Sequence, residues 1–187
     1  MAGAESRVPW QEVGCGGKAW SGRSDGAIRL ALEAARSGDN EVFRGTYQHA
    51  IDPKGRSSLP AKFRELVSAE GAELVVLTQG PDKALWAYAP AAWDALMKRL
   101  EEKSPFDQKV SMFKHAFVAP AQDCPFDKLG RVLVPPMLRD YAGLESDVVW
   151  AGLIDHVELW SLSNWKKRQE EAVAMLAGDP FAAGGAL

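Results

Sequence analysis

Two stretches of this chain place an aspartate four residues ahead of an arginine across a glycine: Asp52-Pro-Lys-Gly-Arg56 and Asp127-Lys-Leu-Gly-Arg131. An arginine fork held on a rigid turn can grip a phosphate bidentately or address a guanine edge in the major groove. The aspartate can accept turn N–H groups or pair with the guanidinium and fix its direction. The same two pairs could instead do no more than lock two hairpins, and an exposed pair contributes at most about 1 kcal/mol. Residue types alone leave both readings open. The other chemistry-bearing side chains gather less well. His49, His115 and His156 are spread along the chain, and none sits in a nucleophile or metal motif. Cys124 lies near Asp123, Asp127 and His115, but the spacing fits no zinc pattern, and a small buried thiol is expected. Gly14-Cys15-Gly16-Gly17 lacks the preceding strand and the following Lys-Ser/Thr of a phosphate loop. No catalytic residue, metal or cofactor is expected.

Turns of this kind need elements to hold them, and the sequence around them repeats. The thirteen residues 52–64 align with residues 127–139 at a constant offset of 75, sharing Asp, Gly, Arg, Pro and the final Arg. Further on, Leu85-Trp86-Ala87-Tyr88 with Trp93 matches Val157-Glu158-Leu159-Trp160 with Trp165 at an offset of 72. Each copy predicts a strand, over 43–51 or 117–126, that runs into the turn. Gly55 and Gly130 suit the positive φ of a tight hairpin. A short strand follows, then a proline at the start of a helical turn, where its missing N–H costs nothing. In the first copy Leu59, Phe63, Leu66 and Val67 form one apolar stripe, with Ser58 as the expected cap. Two further strands are expected in each copy, over 74–78 and 84–88, then over 148–153 and 156–160. A helix closes each copy. Trp93, Leu96, Met97 and Leu100 form the first stripe, and Trp165, Ala172, Val173 and Leu176 the second. Trp93, Trp160 and Trp165 are expected to pack in the core.

Charge is distributed unevenly over this plan. The 187 residues carry 22 basic and 25 acidic side chains, a net charge of −3. Residues 43–64 hold five basic groups against one acidic, and residues 126–139 hold three against one. Two equivalent hairpins are therefore +4 and +2, which leaves −9 on the rest. A two-stranded ribbon is narrow enough to enter a major groove. The candidate DNA contacts are accordingly Arg56 and Arg131, with Lys54, Lys128, Arg44, Lys62 and Arg64 around them, while Asp52, Gly55, Asp127 and Gly130 shape the turns. At 47% hydrophobic the chain can fold, yet no segment approaches the roughly 18 apolar residues of a membrane helix. With two cysteines and no apolar leader, a reducing cytoplasm is the expected setting.

Val42-Phe-Arg-Gly-Thr-Tyr-Gln-His-Ala-Ile-Asp-Pro-Lys-Gly-Arg56 with Pro60-Ala-Lys-Phe-Arg64 resembles the opening of the bacterial MraZ family. The second Asp-x-x-Gly-Arg turn and the two aromatic-bearing helices resemble the remainder. The resemblance covers about residues 42–176. It implies an α+β, β-rich fold of the AbrB-like class, with tandem ββαβ repeats interleaved into a double swapped-hairpin β-barrel with flanking helices. It also implies a nucleoid-associated transcriptional regulator that assembles as a ring-shaped homo-oligomer. Its partner would be double-stranded DNA, as short direct repeats upstream of its own division and cell-wall operon, which it would repress. The family's motif falls on Asp52 and Arg56 and on Asp127 and Arg131. Two positions depart from the family pattern. Ser57 replaces a usual apolar residue and is expected to loosen the first hairpin. Lys109 and Lys114 stand where arginines are usual, and lysine lacks the planar fork. The competing expectation is a protein-binding barrel that shares the fold and binds no DNA. The expected domains are an extension over 1–41, repeats over 42–104 and 105–178, and a tail over 179–187. Residues 1–41 hold 7 of the 17 glycines, and Val42 is the expected true start, from a codon that initiates as methionine.

Overall fold

The structure, a computed structural model, describes residues 42–178, so the expectations for 1–41 and 179–187 lie outside the described residues. The first copy runs β1 (Phe43–Ala50), β2 (Arg56–Ser58), α1 (Ala61–Ala69), β3 (Leu74–Gln79), β4 (Leu85–Tyr88) and α2 (Pro90–Glu101). The second is preceded by α3 (Gln108–Phe113) and its π-type continuation Lys114–Val118. It then runs β5 (Gln122–Pro125), β6 (Arg131–Leu133), α4 (Pro136–Ala142), β7 (Asp147–Ile154), β8 (His156–Ser161) and α5 (Leu162–Gly178). No helix among these is long and apolar enough to cross a membrane.

Six strands form one antiparallel sheet in the order β1-β7-β8-β4-β3-β5, and β2 pairs with β6 in a separate ribbon. The two copies exchange strands. The first strand of copy one lies on the third strand of copy two, from Phe43 opposite Ile154 to Ala50 opposite Asp147. Reciprocally, β5 lies on β3, with Val75 opposite Cys124. The central β4–β8 pairing, Leu85 opposite Leu159, joins the halves again. Hydrogen bonds do not close a ring: β1 and β5 remain the sheet's edges, and single bridges from Ile51 to Ser57 and from Phe126 to Val132 tie the ribbon to it.

One core serves both copies. Phe63, Val67, Leu77 and Leu85 from the first pack in one cluster with Val132, Leu138, Trp150 and Leu159 from the second. The i, i+4 pair Phe63 and Val67 is the buried face of α1, which is why this short polar-surfaced segment is helical. Phe63 meets the rings of Phe43 and Tyr47 edge-on at 5.7 and 5.1 Å. Ser58 does not cap α1 as the sequence suggests. It lies in β2, and Pro60 holds the N-cap without a side-chain bond. A proline with φ fixed near −65° starts the helix geometrically instead.

Three further expectations change. The strand predicted over 117–126 shrinks to Gln122–Pro125, because the preceding residues are helical. Phe113 and Phe117 stack at 4.8 Å, Phe117 stacks on Trp93 at 5.7 Å, and the carbonyl of Phe117 accepts the Thr78 hydroxyl. Helical spacing thus serves an aromatic cluster, and Pro120 follows the helix. On α5 only the start packs: Trp165 meets Trp160 at 6.1 Å, whereas Val173 and Leu176 of the predicted stripe are exposed. Trp160 is buried and Trp93 and Trp165 are half-buried, in keeping with the packing role expected of them.

Ser57 does not sit loosely. It is buried opposite Val132 at the centre of the ribbon, and its hydroxyl accepts the Nε1–H of fully buried Trp150 at 3.2 Å. A polar residue stands here because a buried indole N–H needs an acceptor. Ser57→Ala should therefore cost about 1–3 kcal/mol in urea unfolding, but much less in a Trp150→Phe background, where no indole N–H is left without an acceptor. Equal losses from Ser57→Ala in the two backgrounds would contradict the pairing.

Candidate nucleic-acid interface

The two turns have the same construction. Asp52 Oδ1 accepts the backbone N–H of Lys54 and of Arg56, both at 2.9 Å. Its Oδ2 accepts Arg56 Nε–H at 2.7 Å and lies 2.6 Å from Nη2. Asp127 repeats this with Leu129 N–H at 2.9 Å, Arg131 N–H at 3.0 Å, Arg131 Nε–H at 2.7 Å and Nη2 at 2.6 Å. Behind each carboxylate the backbone closes a tight hairpin, Gly55 N–H to Asp52 O and Gly130 N–H to Asp127 O, both at 2.8 Å. Gly55 and Gly130 take φ of +83° and +71°, where a side chain would be strained. The arginine hydrogen bonds and the turn N–H groups favour ionised carboxylates, and both aspartates are held at a pKa of about 2.

The pairs expected from sequence thus lock the hairpins, and they also aim the arginines. Each aspartate takes one edge of the guanidinium, and the side chains of Arg56 and Arg131 stay 31% and 26% exposed. Antiparallel pairing of β2 with β6 brings the turns together, and Arg131 Nη1 lies 3.8 Å from Asp52 Oδ2 of the other turn. The backbones cross as well: Val134 N–H bonds Gly55 O at 2.8 Å, and Leu59 N–H bonds Gly130 O at 3.2 Å.

The remaining candidates divide. Lys54 and Lys128 are exposed on the two turns, and Lys62 is exposed on α1. Arg64, half-buried on α1, lies against Gly130 of the opposite turn. Arg44 stands apart, at the start of β1 opposite Leu153, about 20 Å along the strand from Ala50 at about 3.3 Å per residue. Sequence reasoning missed Arg139 as a member of this cluster: it lies against Gly55 as Arg64 lies against Gly130. The constant offset of 75 between Arg64 and Arg139 was the signal that could have found it.

The groups set aside as chemistry stay apart from the turns. Cys124 is buried, and burial pushes its thiol up to about 12. His115 Nδ1 bonds Ser111 O at 2.8 Å on α3, and buried His156 bonds Asp155 at 2.7 Å. Among the described residues no group of three or more His, Cys, Asp or Glu side chains comes together to hold a metal.

The family described as “MraZ protein, putative antitoxin-like” matches residues 42–116 and again 117–181. The chain belongs to the MraZ family. A “Transcriptional regulator MraZ” of Desulforapulum autotrophicum is 40% identical over 147 residues, 72% of this chain and 99% of the relative. One of Heliobacterium modesticaldum is 44% identical over 135 residues, covering 70% and 89%. One of Thermomicrobium roseum is 40% identical over 129 residues, covering 69% and 88%. Each of the two matched MraZ segments carries one Asp-x-x-Gly-Arg turn. Of the departures from the MraZ pattern, Ser57 is explained by Trp150, and Lys109 and Lys114 lie on α3 and its continuation rather than on the ribbon.

The locks have a pH signature. Both carboxylates ionise more readily folded than unfolded, so their stabilisation is present above pH about 3.8 and is lost as pH falls through about 2. Stability measured by urea unfolding should therefore drop between pH 4 and 2, and Asp52→Asn with Asp127→Asn should flatten that drop. An unchanged slope in the double variant would remove the locks from the stability of the hairpins.

Proposed function

We propose that this chain is a DNA-binding transcriptional regulator whose two Asp-x-x-Gly-Arg turns contact double-stranded DNA. The observation that carries this reading is the pair of arginines, Arg56 and Arg131, each held by its own aspartate while still partly exposed, diagonally across one short antiparallel ribbon. The carboxylate fixes the fork's direction and leaves further N–H donors, the arrangement required for phosphate or guanine recognition. Lys54, Lys128, Lys62 and Arg64 surround the turns, and the relatives' name, transcriptional regulator, supports the same assignment. Arg44, at the far end of β1, contributes through long-range attraction rather than at the turns. The interleaved strands with their ribbon support a double swapped-hairpin barrel over repeats 42–104 and 105–178, although the ladder is not closed. The target is short direct repeats upstream of the chain's own division and cell-wall operon, and the outcome is repression, in the cytoplasm and on the nucleoid.

The chain acts as a ring-shaped homo-oligomer. Two different apolar surfaces support this: the outer part of α5 with Val173 and Leu176, and a groove of Met97, Leu100 and Val118 between α2 and the continuation of α3. Exposed apolar stripes and apolar grooves of this kind mark contact surfaces, and head-to-tail contact between unlike faces gives a ring where the repeated rotation closes. Val173→Glu with Leu176→Glu should reduce the particle to a monomer by light scattering; an unchanged mass would place the contact elsewhere.

Anisotropy titration with DNA from upstream of the gene, against a shuffled control, tests the main reading. If each subunit meets two or three phosphates, log K should fall with log salt at a slope of about −2 to −3 per subunit engaged. Arg56→Ala should abolish specific binding while leaving the oligomer intact, and Arg131→Ala should act similarly or more mildly. Wild-type affinity in both variants would leave the turns structural, as in a protein-binding barrel.

A further inference from the structure

We infer that Arg64 and Arg139 form a crossed pair of phosphate-binding arginines, each completing the anion site of the other repeat's turn. The inference rests on the DNA-binding reading above and adds to it a residue, Arg139, and a division of labour within the interface.

The geometry is reciprocal. A Cβ built on Gly55 would meet Arg139 Nη1 at 2.6 Å and Cζ at 3.0 Å, and one built on Gly130 would collide with the guanidinium of Arg64. The guanidinium from α4 therefore covers the first turn's glycine, and the guanidinium from α1 covers the second's. The backbone bonds cross in the same sense, Val134 to Gly55 and Leu59 to Gly130. Residues 55, 59 and 64 become 130, 134 and 139 under the one offset of 75, so every contact has its mate.

The two arginine sets differ in what they have left to offer. Arg56 and Arg131 are each engaged by an aspartate through Nε and Nη2. Arg64 and Arg139 make no ion pair and donate no side-chain hydrogen bond among the described residues, although both are half-buried. A partly desolvated guanidinium with all five donors unspent is poised for an anion. Its neighbours favour one. Each turn carries an exposed lysine, Lys54 or Lys128, its own paired arginine and the crossed arginine, against a single aspartate already neutralised. The glycine beneath presents no side chain, which lets the guanidinium seat directly over the turn with its remaining edge free for a phosphate oxygen. The structure thus holds two equivalent anion sites, one built from Lys54, Gly55 and Arg139 and the other from Lys128, Gly130 and Arg64. Neither repeat can build its site alone.

This separates phosphate contact from base readout. Arg56 and Arg131, rigidly aimed, carry the specificity, and Arg64 and Arg139 carry affinity common to all sequences. The test is anisotropy titration of the full chain, wild type against Arg64→Gln, Arg139→Gln and the double variant, with promoter and shuffled DNA over a salt series. Each substitution should weaken binding to both DNAs by a similar factor, roughly tenfold, and should reduce the magnitude of the log K against log salt slope by about 1. Melting temperatures should stay close to the wild-type value, because among the described residues neither guanidinium makes an ion pair or donates a hydrogen bond. Should the Gln variants melt early, Arg64→Lys and Arg139→Lys keep the charge and lose the fork, and they should retain the wild-type slope with weaker affinity. Wild-type affinity and slope in the double variant would overturn the inference while leaving the DNA-binding reading intact. Loss confined to promoter DNA would overturn the phosphate assignment. Wild-type protein that binds neither DNA would overturn the reading and the inference together.

Discussion

The antiparallel pairing of β2 with β6, only three residues on each side, is the constraint on which the rest of the structure depends. A strand this short has almost no stability as an isolated pair. It persists because both strands are anchored at each end by contacts from the opposite copy. Leu59 reaches Gly130, Val134 reaches Gly55, and the preceding strands β1 and β5 are each laid on the other copy's third strand. Once the ribbon forms in this register, both Asp-x-x-Gly-Arg turns must emerge close together. The two α-helical turns that follow, led by Pro60 and Pro135–Pro136, must then place their arginines over the opposite glycines. A shift of one residue would turn Ser57 and Val132 away from the core and dismantle the arrangement.

Burial and charge have separate duties in holding this frame. The side chains that fix it are apolar and shared, with Phe63, Leu138, Val132 and Trp150 fully buried in one cluster. Removing one large buried side chain from such a core typically costs several kcal/mol. The ion pairs at the turns are solvent-accessible and add only a modest, pH-dependent increment to the stability the core supplies. What they provide is direction. A guanidinium tethered by Nε and Nη2 has lost most of its rotamer freedom before any ligand arrives, so less ordering remains to be done on binding. An arginine on a flexible loop would meet the same anion with weaker net affinity.

Much of this was legible in the sequence because the sequence is internally repeated. The offset of 75 located both turns, both glycines and both prolines, and short β-like apolar runs located β3, β4, β7 and β8 within a residue or so. Family-specific motifs pointed to interleaving, which periodicity cannot reveal, since a strand's partner is not encoded in its own alternation. The failures have local causes. Residues 117–126 read as a strand because Phe117 and Val118 favour β structure, yet Phe113, Phe117 and Trp93 form an aromatic stack that needs helical spacing. Ser58 resembled a cap, but the ribbon claimed it. Ser57 resembled a defect because its partner Trp150 is 93 residues away. The outer stripe of α5 has amphipathic periodicity and yet is exposed, because periodicity cannot say whether the apolar face meets this chain or another.

That uncovered stripe and the small size of the basic surface are connected. Two turns with two crossed arginines can engage few phosphates, and so few contacts bind weakly at physiological salt. A regulator built this way gains useful affinity only if several subunits are held together on adjacent sites, because the second contact then becomes intramolecular. The acidic balance of −9 outside the two basic segments acts in the same direction. It makes the two basic segments the favoured place for DNA on average, so subunits gathered through α5 and the α2 groove would add their turns to one another's contacts. The proposed assembly and the proposed DNA contact therefore require each other: the helix faces left exposed among the described residues supply the avidity that the turns cannot.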